Sequence, residues 1–384
     1  MKRWPKIKVG DILHRVKDDL LINDLTTYSR ITIRMNGKGV ILRDSVIGAD
    51  IGTKRQFIAR AGQFALSKID ARNGAFGVLP KECDNAIITG NFWVFDFDME
   101  RIEPRFFEAL SKTPAFVASC VGASDGTTNR QYLKEDNFLL MEFGLPPLPE
   151  QCAIVARLDV VAEKVRQVEV KLNEIEADAE QLLAICFRDA IEGAESLTMS
   201  EVAPLVRREV EIDPEANYTE LGIRSFFKGV FHRRVMSGVE YTWQKLYWVA
   251  CGDLIFSNIM AWEQAIAVAG DSDSNCVGNH RMLTCSVNPE ISTPGFLWYY
   301  FTTADGFSKI LKASPGTAAR NKTLKADVLM TLQVPTPKIE KQIAFDKLQN
   351  KIAEMKAKHQ ETRQELKALL PSMLEQIFTP SAKT

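Results

Sequence analysis

Much that would assign this chain to a chemical class is missing from it. Its seven cysteines include no Cys-x-x-Cys pair, which argues against a disulfide scaffold and against a zinc ribbon. The four histidines, His14, His232, His280 and His359, have no metal-ligand spacing; a packing or solvated role is expected for His359. No apolar run approaches a membrane span, and Met1-Lys-Arg-Trp-Pro leads into no apolar signal core. A soluble, reduced, cytoplasmic protein that makes no membrane contact is therefore expected. Charge of one sign is not in excess either. With 48 Lys+Arg against 49 Asp+Glu the net charge is −1, so any nucleic-acid surface must be local. Gly48-Ala-Asp-Ile-Gly-Thr-Lys54 does not fit a phosphate-binding loop. Asp213-Pro-Glu and Asn288-Pro-Glu lack the second proline of an amino-methyltransferase motif, and no glycine-rich cofactor loop precedes them. Cys276 and Cys285 flank a polar turn without partner ligands, and Asp96-Phe-Asp98 reads as a strand end. No catalytic residue, metal or cofactor is expected in the chain itself.

What is present is a repeat. The 384 residues, 46% of them apolar, suffice for two or three domains with cores of their own. Tyr28, Ile33, Arg34, Lys38, Gly39, Val40, Arg43 and Gly48 reappear 190 positions later as Tyr218, Ile223, Arg224, Lys228, Gly229, Val230, Arg233 and Gly238. The register holds through Gly62/Gly252, Ser67/Ser257, Ile69/Ile259, Ala71/Ala261, Ala75/Ala265 and Val78/Val268. Those 14 identities over positions 28 to 78 compare with about three expected from average composition. Ser124-Asp-Gly-Thr-Thr-Asn-Arg130 matches Ser314-Pro-Gly-Thr-Ala-Ala-Arg320, after which the offset becomes 191 and pairs Gln151 with Gln342. A period of half the chain means a duplicated domain and not a solenoid.

Each copy ends in a proline cluster, Leu145-Pro-Pro-Leu-Pro-Glu-Gln151 and Val334-Pro-Thr-Pro-Lys-Ile-Glu-Lys-Gln342. Prolines hold the chain extended and tolerate a first helical turn, so each cluster marks a sharp helix start. Apolar residues then recur at alternating steps of four and three: Ile154, Leu158, Val161, Val165, Val168, Leu172, Ile175, Ala179, Leu182 and Cys186. That is the spacing of a coiled-coil seam. A second series runs Phe345, Leu348, Ile352, Met355, His359, Thr362, Leu366, Leu369 and Met373, with no proline before Pro371. The globular parts read as mixed α/β, with strands at Phe92–Phe97, Ile31–Ile33 and Gly39–Leu42 and short helices at Pro104–Ser111 and Phe296–Phe301.

Charge is placed unevenly along this frame. Between Arg30 and Arg72 nine basic residues, Arg34, Lys38, Lys54, Arg55, Lys68 and Arg72 among them, face three acids. Arg224 to Asn258 carries Arg224, Lys228, Arg233, Arg234 and Lys245 against two acids. The helical stretch Glu150 to Glu192 has five bases and ten acids, a solvated or docking face. Basic charge in equivalent regions of both copies is what phosphate neutralisation calls for, and a solvated strand surface is the plainer alternative. Within the shared frame one loop diverges: Lys68 stands opposite Asn258, Arg72 opposite Trp262 and Asn73 opposite Glu263. Arg, Asn and Glu suit guanine, adenine and cytosine edges, so two like scaffolds would read two short sequences; surface drift would leave the same trace.

The duplicated domain, the Ser-Lys-Ile-Asp-x-Arg segment from Ser67 to Arg72, the paired Ser-x-Gly-Thr-x-x-Arg turns and the Leu-Pro-Pro-Leu-Pro-Glu-Gln lead-in together resemble a type I restriction–modification specificity subunit over nearly the whole chain. That resemblance implies an α+β chain of two duplicated mixed α/β target-recognition domains, separated by two long helices that form an antiparallel coiled coil. The first domain would span 1–149, the first helix 150–192, the second domain 193–338, and the second helix and tail 339–384. Each domain would read half of a bipartite, asymmetric site in double-stranded DNA for antiphage defence. The subunit would be non-catalytic. Modification subunits, two of them, would bind S-adenosylmethionine and methylate adenine, and restriction subunits would use ATP and magnesium to translocate and cut. The turns add Thr127, Arg130, Thr317 and Arg320 to the DNA-contact candidates. The second copy departs from the Ser-Lys-Ile-Asp-x-Arg motif at Asn258, Met260 and Trp262. A self-contained nuclease or methyltransferase, and a coiled-coil adaptor whose heads bind protein, are the competing readings.

Overall fold

Alternating apolar and polar residues turn each repeat copy into strands wherever one face can be buried. The computed structural model of the protein describes residues 4–126, 131–241, 245–316 and 322–378. Two units form, one from Met1–Lys171 with Gln360–Thr384 and the other from Leu172–His359.

In the first unit, four strands pair in the order Leu13–Val16, Phe92–Phe97, Phe64–Ser67 and Phe76–Val78. A second sheet orders Asp19–Leu21, Arg55–Ala59, Ala86–Ile88, Thr27–Ile33 and Val40–Ile47. Its pairings are antiparallel except where Arg30 lies opposite Ile87. Helices Pro104–Ser111 and Pro114–Gly122 each begin on a proline and are capped by the Glu103 and Thr113 side chains. They bring Phe106, Phe107 and Phe116 into the same core as Phe64, Phe76 and Phe95. The Phe64 and Phe107 rings meet edge-on, with centroids 5.0 Å apart. Each such ring, fully buried, contributes about 1.5–3 kcal/mol.

The second unit repeats this plan. One sheet orders Leu205–Val206, Met282–Cys285, Leu254–Ser257 and Ile266–Val268; the other orders Val230–Ser237, Asn217–Ile223, Val277–Asn279 and Leu246–Trp248. Even the irregularities recur at an offset of 190. Register shifts between Arg30 and Ile31 and between Glu220 and Leu221, and Glu220 lies parallel to Val277 as Arg30 does to Ile87. The edge strand Asp19–Leu21 is reduced to a single bridge, Glu209 to Tyr247, where the first copy pairs Asp19 with Phe57. The strands expected at Ile31–Ile33 and Gly39–Leu42 are longer than the apolar runs, because the hairpin continues through polar Arg43, Asp44 and Ser45. Pairing holds that outer half, not burial.

The two long helices run Leu148–Ile191 and Ile339–Phe378, the second continuing through Pro371. Their starts are 191 residues apart, so Lys341 replaces Glu150 and is not an insertion. Within the second unit they lie antiparallel: Lys356 bonds Glu180 and His359 Nδ1 lies 2.9 Å from Glu176. Of the expected seam, Leu172 is buried and Ala179 and Cys186 pack on the core, but Val168, Ile175 and Leu182 are exposed, and Leu183 and Phe187 are buried instead. A strict heptad pattern drifts by about 20° per repeat on a 3.6-residue helix, and the head-side core of the second unit takes the face one residue on. At each lead-in a buried glutamine clasps the head. Gln151 Nε2 donates to Arg101 O (2.9 Å) and Pro146 O (2.8 Å), and its Oε1 accepts from Glu103 N (2.9 Å). Gln342 repeats all three with Ile291 O, Pro337 O and Thr293 N, and adds Ser292 Oγ at 2.7 Å.

Candidate nucleic-acid interface

In each unit the hairpin tip rests on the divergent loop. In the first, Asn36 N donates to Asn73 O (2.7 Å) and Gly37 N to Gly74 O (2.9 Å). The tip turns through left-handed backbone at Asn36, Gly37 and Gly39, residue types suited to positive φ. Gly74 is left-handed as well, and a Cβ there would lie 3.1 Å from Gly37 N. In the second unit Phe226 N donates to Glu263 O and Phe227 N to Gln264 O, each at 2.9 Å. The sequence places hairpin and loop in one basic stretch; the fold brings the tip of one onto the backbone of the other.

The basic residues then divide into two groups. Lys54 pairs with Asp24 (2.6 Å), Arg55 with Asp19 (3.0 Å) and Arg60 with Asp18 (2.7 Å). In the second unit Arg234 bonds Glu220 at 2.8 Å, Arg233 lies 3.9 Å from the same carboxylate, and Lys245 pairs with Glu209. Among the described residues no ion pair joins Arg34, Lys38, Lys68, Arg72, Arg224 or Lys228 to a carboxylate. These six lie on the tips and loops of the two platforms, and Arg34, Lys38, Arg224 and Lys228 are exposed. Lys54, Arg55 and Arg234 thus each have a carboxylate partner on a neighbouring strand or loop, and Arg233 only shares the one that Arg234 bonds.

A reversed charge pair underlines the equivalence. Arg30 grips Asp44 through two 2.7 Å bonds; at the same two positions the second copy has Glu220 and Arg234. The Arg30 guanidinium bond holds the Asp44 carboxyl below its usual range. Burial alone would push Glu220 up, yet the Arg234 bond and the nearby guanidinium charges leave it lowered. The pair ties the same two strands together in both heads, and either polarity serves.

The divergent side chains present different chemistry. Arg72 Nη1 donates to Gln131 (3.3 Å) and Asn73 Nδ2 to Asp70 (3.3 Å), contacts long enough to exchange for a ligand. Trp262 spends its indole N–H on Ile259 O (2.9 Å) and carries the Lys322 ammonium 5.2 Å above its ring, so it offers a face and not a donor. Glu263 accepts from Ser225 Oγ at 3.3 Å. Asn258 Oδ1 is buried with no partner among the described residues, so that acceptor does not face solvent. Thr127, Arg130, Thr317 and Arg320 lie outside the described residues. Sequence reasoning missed the tip residues Met35 and Phe226, although the repeat marked them: identical Arg34/Arg224 and Lys38/Lys228 bracket positions that differ.

Among the described residues no group of three His, Cys, Asp or Glu side chains could hold a metal, and no helix is long and apolar enough to cross a membrane. Burial pushes the Cys120 and Cys285 thiols up to about 12, away from nucleophile or ligand chemistry. His232 Nε2 lies 3.0 Å from the buried Asp273 carboxylate, a single pair with no third ligand group among the described residues.

No family model matches the chain, and no curated protein matches it in sequence. In structure it is similar to the HsdS subunit from Thermoanaerobacter tengcongensis, with a TM-score of 0.64 at 18% identity, over 100% of this chain and 98% of that one. A chain from the type I R-M system, solved for its complex assembly and conformational transition, gives 0.69 at 18% identity over 100% and 99%. At that identity the likeness is one of fold: duplicated mixed α/β domains joined by long helices.

Proposed function

We propose that the chain is the DNA-specificity subunit of a type I restriction–modification complex. Each head, within 1–149 and 193–338, reads one half of a bipartite, asymmetric site in double-stranded DNA. The helices from 150–192 and 339–384 separate the heads. The catalytic steps belong to partners: modification subunits that bring S-adenosylmethionine, and restriction subunits that bring ATP and magnesium. One observation carries the reading. The same hairpin-on-loop platform occurs twice, with the same cations at Arg34/Arg224 and Lys38/Lys228, none with a carboxylate partner among the described residues, and with unlike side chains at Lys68/Asn258, Arg72/Trp262 and Asn73/Glu263. Cations common to both heads supply sequence-independent phosphate contacts, and side chains that differ supply base discrimination. A protein-binding adaptor would have no use for that division.

Partner docking has a surface to use. Ile175 and Leu182, seven residues apart on the first long helix within the second unit, are both exposed on an acidic helix. The test is biochemical. Purified chain incubated with labelled S-adenosylmethionine and duplex DNA should transfer no methyl group, and adding a modification subunit from the same cell should start sequence-specific adenine methylation. Transfer by the chain alone, after rigorous removal of partners, would overturn the reading.

A further inference from the structure

The tip of the second hairpin holds an unexplained residue. Phe226 and Phe227 are consecutive and both left-handed, with φ of 61° and 55°. Their counterparts Asn36 and Gly37 take the same turn with residues that favour it. For aromatic residues this conformation is strained and persists only where something else demands it. Packing explains Phe227: its ring meets Trp298 and Phe307 edge-on at 6.2 and 6.0 Å. It does not explain Phe226, which is 64% exposed. Its only ring contact among the described residues is with the Lys228 ammonium, 5.7 Å from the centroid.

The surroundings of this ring are cationic. Arg224 and Lys228 flank it in sequence without a carboxylate partner among the described residues, and its backbone N–H is fixed to Glu263, beside the Trp262 face with its Lys322. The first head has a milder version: Met35, half exposed, lies between Arg34 and Lys38, one position earlier in the turn. A rigid apolar side chain bracketed by phosphate-seeking cations is the arrangement that places a wedge against bases while the backbone charges are neutralised. We propose that Phe226 is a specificity-determining residue of the second head, packing its ring on base pairs of that head's half-site. This rests on the specificity-subunit reading above. On this reading the strained backbone is retained because the turn holds the ring out towards the bases.

Phe226→Asn separates the two roles, since Asn36 shows that this turn accepts asparagine. The full-length chain and the variant would each select from a library of duplex DNA with randomised positions, bound fragments being sequenced and affinities measured on the selected duplex. The expected result is a two-part motif for the wild type. For the variant, discrimination should fall about tenfold at one or two adjacent positions of one part, with the other part unchanged and a melting temperature equal to or above that of the wild type. An unchanged motif for Phe226→Asn would overturn the assignment of Phe226 alone. A wild-type chain that selects no motif would overturn the functional reading and this inference with it.

Discussion

Single residues decide which cations are free to meet phosphate. Composition counted Lys54, Arg55, Arg233 and Arg234 with Arg34, Lys38, Arg224 and Lys228, because their partners lie outside the basic stretch, at Asp19, Asp24 and Glu220. Only the fold separates them. Replacing Arg34 and Lys38 with alanine should weaken binding to all duplexes alike and reduce the slope of log affinity against log salt by about one per lost contact. Arg55→Ala should leave that slope unchanged, and a salt titration of binding distinguishes the two. Asp346 offers a second test. Burial pushes its carboxyl up, and its Oδ1 and Gln349 Oε1 are buried acceptors without partners among the described residues. A folded pKa above the unfolded one means the folded state holds the proton more tightly, so stability falls as pH rises through the raised value. Asp346→Asn should therefore raise the melting temperature at neutral pH, with the gain vanishing at about pH 4, near the ordinary carboxylate range.

At the scale of elements, the repeat was legible and the packing faces were not. Gly and apolar identities at a fixed offset exposed the duplicated sheets, since backbone turns and buried positions tolerate few substitutes. The strand Phe92–Phe97 and the helix Pro104–Ser111 have the bounds their apolar runs and proline indicate. Half of the coiled-coil seam is open: Val168, Ile175 and Leu182 are exposed while Leu172, Leu183 and Phe187 are buried, because a periodicity cannot show which neighbour claims each face. Gln151 and Gln342 stood out in the sequence only as a matched pair; three shared hydrogen bonds explain the match. Gln342→Leu strands buried backbone groups at the head–helix junction and should cost about 3 kcal/mol in urea denaturation. A loss within experimental error would mean that water replaces the clasp.

For the whole molecule, the proposed function turns each long helix into a spacer. Each belongs to both units, the first changing over at Leu172 and the second at Gln360. One heptad inserted at matched levels in both helices keeps the seam in phase and lengthens each by about 10 Å. On this reading the half-sites stay the same while the bases between them increase by roughly 3 bp. Altered half-sites with the original spacing would sink the spacer role. The central claim, that the two platforms read separate halves of one site, has a more direct test: the adenine methylation map of cells carrying the wild-type chain, Arg72→Ala with Asn73→Ala, or Trp262→Ala with Glu263→Ala. The account predicts a two-part motif whose one half relaxes in the first variant and whose other half relaxes in the second. Loss of the same half in both variants, or a motif indifferent to both, would contradict it.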